Sequence, residues 1–255
     1  MSKKTITVII ILIVIILIPL FFDLKVTNDY VPDGYETKYA DFVEAVKNMD
    51  KKYVLPKKEG TPAQLYEEVW ILHPEIFWIK NKFLYTYDEN NYYVSVYYTC
   101  PKPIAKWRQF RLDLKVNSIV RKAKKQKNQT EMLRYIHDYL IEKSQYATYR
   151  QSVGTIYGCI IQGESLCQGY TNAFTVLANK CGIECGPVIN SDHVWNYVIV
   201  DGKEYMIDVT WDDPIGGKAE DPYKYFMLTP EEMKKDHPIR TDYCKYSKDK
   251  TDTKK

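Results

Sequence analysis

Three side chains between residues 165 and 213 can carry out nucleophilic chemistry together, those of Cys167, His193 and Asp208. A cysteine thiolate attacks carbonyl carbon, an imidazole takes up and returns a proton, and a carboxylate holds an imidazole in one orientation. This combination predicts acyl-transfer chemistry, provided that the fold brings the three residues together.

Cys167 stands at the start of a helical pattern. Apolar residues recur at i, i+3, i+4, i+7 and i+8 from Tyr170 to Ala178, and Gly182 occupies the position of a helix C-cap. The sulfur is therefore expected at a helix N-terminus, where unpaired N–H groups and the helix dipole stabilise a thiolate.

The other two residues belong to a predicted β-hairpin. Residues 193–200 and 203–210 are rich in β-branched and aromatic side chains, and Asp201-Gly202 between them is a two-residue turn signal. This turn length determines which residues of the two strands face each other.

The predicted register places Asp208 opposite Trp195 and Thr210 opposite His193. Because side chains alternate along a strand, His193, Trp195 and Asp208 share one face of the hairpin. His193 and Asp208 become diagonal neighbours, roughly 7–8 Å apart at the backbone and within side-chain reach. The hairpin alone thus predicts a carboxylate that holds an imidazole.

Three motifs around these residues resemble the transglutaminase-like superfamily, relatives of papain-type cysteine proteases. They are L-C-Q-G-Y around Cys167, H-V-W-N at 193–196 and I-D-V-T-W-D-D at 207–213. The order of cysteine, histidine and aspartate is also that of the superfamily, and the resemblance covers roughly residues 130–230.

The resemblance implies that Cys167 is the nucleophile, His193 its general base and later acid, and Asp208 the orienting carboxylate. The expected substrates are peptide or protein amides, which would form a thioester that either water or an amine resolves. Hydrolysis and transglutamination both occur in the superfamily. The alternative is a non-catalytic module that binds peptides or cell-wall components in the same cleft.

Four further residues near the site receive weaker predictions. Gln162 is an oxyanion-hole candidate, although backbone N–H groups could do the same work. Trp195 and Trp211 are candidates for the walls of the site. Asp212 is a rival to Asp208 for the orienting role, but it lies four residues further along the predicted strand.

The predicted fold class is α+β, with a papain-like core in which the helix carrying the cysteine packs on an antiparallel sheet carrying the histidine and aspartate. The predicted divisions are an N-terminal anchor (1–22), a linker (23–37), an N-terminal α/β region (38–115), the catalytic core (116–245) and a disordered tail (246–255).

The apolar run from Ile6 to Phe22 follows Lys3 and Lys4. Its length is near the lower limit of about 17 residues for a membrane-spanning helix, and no small-residue cleavage site follows it. The run therefore predicts an uncleaved signal anchor, with a cleaved signal peptide as the alternative. The lysines leave the short end in the cytoplasm, so a single-pass membrane protein with an extracytoplasmic catalytic domain is expected.

The remaining chain contains recognisable secondary-structure signals. Helices are predicted near 38–51, from Thr61 to about Leu72, across 113–143 with a break at Gln129-Thr130, and after Thr229. Strands are predicted at 83–87, 92–99 and 223–228.

Three other histidines are assigned no catalytic role. His73 has no partner at ligand spacing, His137 adjoins Asp138 on one helix and cannot face it, and His237 precedes Pro238 and is expected at the surface.

The six cysteines exclude an all-disulfide scaffold if Cys167 is free, and pairing of Cys159 with Cys181 or Cys185 stays open. Their spacing does not favour a zinc site, so no metal and no other cofactor is predicted.

The net charge of +3 is too small to favour nucleic acid, and no basic stripe with interleaved aromatic residues is identified. The expected partners are a peptide or protein substrate, with the cell surface or wall as one source of it, and the membrane through the N-terminal helix.

Overall fold

The structure is a computed structural model that describes residues 36–149, 152–190, 192–213, 220–237 and 244–245. Its helices are α1 Glu36–Asn48, α2 Pro62–Leu72, α3 Lys102–Ala123, α4 Gln129–Lys143, α5 Cys167–Cys181, α6 Val209–Asp212 and α7 Pro230–Met233. Its strands are β1 Lys52–Pro56, β2 Ile79–Tyr87, β3 Asn91–Tyr98, β4 Gln145–Tyr146, β5 Glu164–Ser165, β6 Glu184–Ile189, β7 Val194–Val200, β8 Lys203–Ile207 and β9 Cys244–Lys245.

The strands form two antiparallel sheets and one short parallel pair. The first sheet has the order β1-β3-β2, the second has the order β8-β7-β6-β9, and β4 pairs with β5 in parallel. This mixed architecture with antiparallel sheets agrees with the predicted α+β class.

The first sheet has its own hydrophobic core with α1 and α2. Phe42 and Val46 of α1, Leu65 and Val69 of α2, and Val94 of β3 are almost completely buried there. Helix α2 begins where its sequence predicts, because Thr61 and Gln64 form a capping box and proline follows the cap.

A second core surrounds α5, the helix that begins at Cys167. Leu112 and Val116 of α3, Ile136 of α4 and Phe174 of α5 are fully buried in it. Helix α3 thus crosses the predicted division at residue 115, and its buried residues belong to the core of the C-terminal part of the chain.

Buried hydrogen bonds attach α5 to β7. The Asn196 amide of β7 donates to the Thr171 carbonyl at 3.2 Å and to Thr175 Oγ1 at 2.8 Å, and Thr171 Oγ1 donates to the Val194 carbonyl at 3.1 Å. Because buried polar groups require hydrogen-bond partners, these groups are satisfied only when α5 lies in this position on β7.

The β7–β8 hairpin has the predicted register. Asn196 pairs with Ile207 and Val200 with Lys203. Asp201 and Gly202 have φ angles of 51° and 71°, so both central residues of the two-residue turn have positive φ, as a type I′ turn requires.

The predicted length of the second strand was wrong. β8 ends at Ile207, and Val209–Asp212 form the short helix α6 instead of pairing Thr210 with His193. The Asp208 side chain accepts hydrogen bonds from the N–H groups of Thr210 and Trp211. Asp208 therefore acts as an N-cap, a local interaction that competes with strand pairing.

The predicted strand at 223–228 was also wrong. This segment consists of turns, with one isolated bridge between Leu228 and Met206. The predicted helix after Thr229 is confirmed as α7, where Thr229 and Glu232 form a capping box.

The predicted anchor, most of the linker and the tail lie outside the described residues. Within the described ranges, no helix is long and apolar enough to cross a membrane.

We expect Asn196→Ala to lower the free energy of unfolding by about 1–3 kcal/mol, because the substitution leaves the buried Thr171 carbonyl and Thr175 hydroxyl without this donor. Chemical denaturation followed by circular dichroism measures the loss. Asn117→Ala on the exposed side of α3 is the matched control. Equal stabilities of the two variants would contradict the anchoring role of Asn196.

Candidate active site

Cys167 is the first residue of α5, as its sequence pattern predicts. Leu166 is the N-cap and provides no side-chain cap. Among the described residues, the backbone N–H groups of Cys167 and Gln168 have no acceptor, whereas those of Gly169 and Tyr170 donate to the Leu166 carbonyl. Two unpaired N–H groups therefore lie beside the sulfur at the positive end of the helix.

Gly169 makes this helix start possible. A Cβ atom at this position would lie 2.3 Å from the Val153 carbonyl oxygen and 2.4 Å from Ser165 Oγ. The Val153 carbonyl accepts the Leu166 N–H at 2.9 Å. The glycine of the L-C-Q-G-Y motif thus allows the close backbone approach that positions the N-terminus of α5.

His193 and Asp208 lie just outside the ends of the two hairpin strands. His193 precedes β7, Asp208 follows β8, and His193 Nε2 lies 2.6 Å from Asp208 Oδ2. The predicted proximity of the imidazole and the carboxylate is therefore present in the structure. The His193 side chain is 14% exposed, so the site is accessible from solvent, whereas Asp208 is fully buried.

Four donors hold the Asp208 carboxylate. Oδ1 accepts from the N–H groups of Thr210 and Trp211 at 2.9 and 3.2 Å, and Oδ2 accepts from Nε2 of His193 and of His237 at 2.6 and 2.8 Å. Burial by itself opposes ionisation, but the two histidine hydrogen bonds outweigh it and lower the pKa of Asp208.

His193 also hydrogen-bonds to the Cys167 side chain. Burial disfavours the imidazolium ion, but the hydrogen bonds to Asp208 and Cys167 and the charge of Asp208 outweigh it and raise the pKa of His193 to about 9. Because Nε2 faces Asp208, the other ring nitrogen, Nδ1, is available for the sulfur. The geometry joins the three predicted residues in one hydrogen-bonded chain.

His237 was missed by the sequence analysis, which expected it at the surface. It is 2% exposed, and its Nε2 donates to the same Asp208 oxygen as that of His193. Its Nδ1 is buried and has no hydrogen-bond partner among the described residues. The sequence contains no periodic pattern at this position, since His237 follows α7 in an irregular segment and reaches the site only through the tertiary fold.

Trp195 and Trp211, the predicted wall candidates, both contact the His193 ring. Trp195 stacks on His193 with a centroid distance of 5.8 Å and an interplanar angle of 22°, and Trp211 lies at 5.6 Å. Trp211 also lies 4.2 Å from the His237 ring. Trp195 is buried, whereas Trp211 is 44% exposed and forms the accessible wall.

Asp212, the predicted rival, binds a different histidine. His137 Nε2 lies 3.0 Å from Asp212 Oδ2, and both side chains are buried. His137 Nδ1 also lies 3.3 Å from Asp138 Oδ1, so the expectation that these neighbours cannot meet was wrong. The His137–Asp212 pair joins α4 to α6, and it includes no nucleophile.

Gln162 lies on the loop before Cys167, in a π-helical turn at Gly158–Gln162. Its side chain is exposed, and its amide oxygen accepts a hydrogen bond from the Ser152 hydroxyl. The oxyanion role of Gln162 stays a prediction, and the N–H groups of Cys167 and Gln168 are further candidates for that role.

His193, Asp208 and His237 each offer one atom that can bind a metal ion, and these three atoms lie within 4.8 Å of one another. Ligand atoms around a tetrahedral zinc ion lie roughly 3.3 Å apart, because each bond is about 2.0–2.1 Å long. The observed nitrogen–oxygen distances of 2.6 and 2.8 Å are hydrogen-bond distances. A metal ion would require the rings to move apart.

Five of the cysteines are free thiols: Cys100, Cys159, Cys167, Cys181 and Cys185. Burial raises the pKa of Cys159 to about 11, and burial also raises the pKa of Cys185. Neither of these buried thiols is suited to nucleophilic attack at neutral pH.

Comparison with known proteins shows what part of this chain is similar to. The sequence model of the transglutaminase-like superfamily matches residues 117–207. A solved structure described as "a TGase" is similar at 13% identity and a TM-score of 0.40, over 57% of this chain and 47% of that chain. A second, described as a "putative protease" from Parabacteroides distasonis, is similar at 12% identity and a TM-score of 0.30, over 57% of this chain and 36% of that chain.

This chain thus aligns with less than half of either solved structure. None of the curated proteins compared with the chain matches it.

Asp208→Asn is expected to lower the pKa of His193 from about 9, because the variant removes the carboxylate charge that favours the imidazolium ion. Titration of the histidine ring protons by NMR measures the shift. Asp213→Asn is the control, since Asp213 bonds to Tyr170 and not to His193. An unchanged His193 titration in Asp208→Asn would contradict the assigned cause.

The same shift predicts a pH-dependent stability. Because the pKa of His193 is raised in the folded state, its protonated ring stabilises the fold fully below about pH 6.5. This contribution to stability is lost as the pH rises through about 9. We therefore expect the stability difference between the wild type and Asp208→Asn to shrink between about pH 6.5 and 9. A pH-independent difference in denaturation midpoints would contradict this linkage.

His237→Phe is expected to slow the reaction of Cys167 with iodoacetamide about tenfold or more, since a hydrogen bond to a charged group contributes about 1.5–3 kcal/mol. His237 acts here as a positioning residue for Asp208. His237→Gln, which can place an amide N–H near the same oxygen, is the rescue variant. Identical rates and identical pH profiles for the wild type and His237→Phe would exclude the positioning role.

Proposed function

We propose that this protein is a thiol-dependent acyl-transfer enzyme, because residues 117–207 match the sequence model of the transglutaminase-like superfamily. Members of this superfamily are generally cysteine-dependent enzymes, and their domains act on protein or peptide substrates. The proposed reaction is attack on a peptide or protein amide through a thioester, as in a cysteine peptidase, an amidase or a protein-glutamine transglutaminase.

One observation carries the proposal: His193 hydrogen-bonds both to Asp208, at 2.6 Å, and to Cys167 at the N-terminus of α5. A nucleophile beside a base that a third group orients is the arrangement expected for covalent acyl transfer. Because the three residues come from three separate segments, ordinary packing of one element does not account for their meeting.

In the first step, His193 accepts the proton of the Cys167 thiol, and the resulting thiolate forms a bond to the carbonyl carbon of the substrate amide. The carbonyl oxygen becomes an oxyanion, which the unpaired N–H groups of Cys167 and Gln168 are placed to stabilise. The C–N bond then breaks, and the His193 imidazolium donates its proton to the departing amine. The products of this step are an amine and a thioester on Cys167.

In the second step, water or an amine attacks the thioester carbon, and His193 accepts the proton that the attacking group loses. The carbon–sulfur bond breaks and the Cys167 thiolate is restored. Water yields a carboxylic acid, whereas an amine yields a new amide. Asp208 keeps the imidazole oriented and stabilises its charge in both steps.

The proposed location of the reaction rests on the apolar run at residues 6–22 and its preceding lysines. As a single-pass anchor, this segment would hold the catalytic domain outside the cytoplasm at the membrane. Peptides or proteins of the cell surface or wall are then the accessible substrates.

We expect Cys167→Ala to abolish both iodoacetamide labelling at this position and the conversion of a glutamine-containing peptide. The full chain is incubated with the peptide, with and without an amine acceptor, and the products are identified by mass spectrometry. A cleaved peptide indicates a peptidase, deamidated glutamine an amidase, and an amine adduct a transglutaminase.

Cys100→Ala is the matched control, because Cys100 is also a partly exposed free thiol. It should retain labelling of Cys167 and conversion of the peptide. Slow labelling of all accessible cysteines at one rate, with peptide binding but no conversion, would instead identify a non-catalytic binding module.

A further inference from the structure

The small net charge of the chain conceals a very uneven distribution. Ten lysines and arginines lie between residues 102 and 127, whereas Asp113 is the only acidic residue there. This segment consists of α3 and the turn that follows it, and it carries a net charge of +9, so the rest of the chain carries −6. The expectation that the sequence has no basic stripe with interleaved aromatic residues was therefore wrong.

These charges are directed outward. Nine of the ten basic residues are exposed, and the tenth, Arg108, is half-buried beside Tyr157. The single acid, Asp113, is buried and accepts a hydrogen bond from Gln109. Among the ion pairs between described residues, none involves a basic residue of this segment.

Large apolar side chains share the exposed face of α3 with the charges. Ile104, Trp107 and Leu114 are 45%, 44% and 55% exposed, although Leu112 and Val116 on the opposite side are fully buried. The alternating steps of three and four residues place one set of side chains along a single line on the helix. This outer stripe consists of Ile104, Trp107, Arg111, Leu114, Ser118 and Arg121 of α3, together with Lys125 of the turn that follows the helix.

The outer stripe mixes apolar and basic side chains, and the Arg111 guanidinium lies over the Trp107 ring at 4.8 Å. A helix that presents Trp and aliphatic side chains among lysines and arginines can lie in the interface of a bilayer. The apolar groups enter the boundary of the acyl chains, while the cations meet lipid phosphates.

We propose that the outer stripe of α3 docks on an anionic lipid surface. Phosphate groups complement the net charge of +9, and the bilayer boundary also accepts the exposed Ile104 and Leu114, for which a nucleic-acid backbone provides no apolar contact. A second copy of the chain is disfavoured on this face, because Arg111, Arg121 and Lys125 would meet like charges. The docking is independent of the catalytic proposal, since the stripe contains none of the site residues.

The test uses the full chain with vesicles of phosphatidylcholine alone and of phosphatidylcholine mixed with phosphatidylglycerol. Residues 6–22 would contribute to binding with both kinds of vesicle. The difference in binding between the two vesicles therefore reports the electrostatic part of the interaction. Lipids brominated in the acyl chain quench the fluorescence of tryptophans that approach the bilayer. We expect additional quenching in the anionic vesicles that Trp107→Phe lacks.

The charge variant Arg111→Glu/Arg121→Glu/Lys125→Glu should weaken binding to the anionic vesicles by about tenfold or more. Salt of about 1 M, at which the screening length is about 3 Å, should weaken wild-type binding similarly. The matched control reverses three exposed lysines outside α3, Lys51, Lys52 and Lys203, and should bind as the wild type does. Cys167 labelling and denaturation midpoints should be unchanged in both variants.

Three results would overturn the proposal. The first is equal binding of the charge variant and the wild type to anionic vesicles. The second is equal quenching with both lipid compositions. The third is binding of a DNA duplex that depends on the basic residues while anionic vesicles do not bind, which would identify α3 as a nucleic-acid surface.

Discussion

The site depends on one buried carboxylate. Asp208 is fully buried and ionised, and a buried charge is tolerated only when its lone pairs are occupied. Two imidazoles and two backbone N–H groups meet this requirement. The same contacts begin helix α6 and end the β7–β8 hairpin. They also orient the His193 ring toward Cys167. The local structure and the geometry of the site therefore depend on the same buried charge.

The second constraint is the attachment of α5 to the sheet. Asn196 donates a buried hydrogen bond to the Thr171 carbonyl, and the Thr171 hydroxyl donates one to the Val194 carbonyl. Gly169 lets the helix N-terminus approach the chain at Val153. These contacts place the sulfur and two unpaired N–H groups at the end of the hairpin. Gly169 of the L-C-Q-G-Y motif is therefore explained by backbone packing.

Predictions from local patterns succeeded where one interaction decides the outcome. The turn at Asp201-Gly202 determines the hairpin register, because both positions require positive φ, and α5 begins and ends where its period and Gly182 indicate. The same reasoning failed beyond Ile207, where β-branched residues favour a strand but the Asp208 cap favours a helical turn. Two local preferences competed there, and the histidine contacts of Asp208 come from residues 15 and 29 positions away.

The sequence by itself determined the α+β class, the helix that begins at Cys167, the hairpin and the proximity of His193 to Asp208, since each follows from periodicity, turn chemistry or motif spacing. Only the tertiary structure decided that His237 shares the Asp208 carboxylate, that Asp212 binds His137, and that the apolar and basic residues of α3 occupy one exposed face. Such contacts depend on how separate elements pack in three dimensions, and no pattern within a single segment encodes a partner that arrives from a distant one.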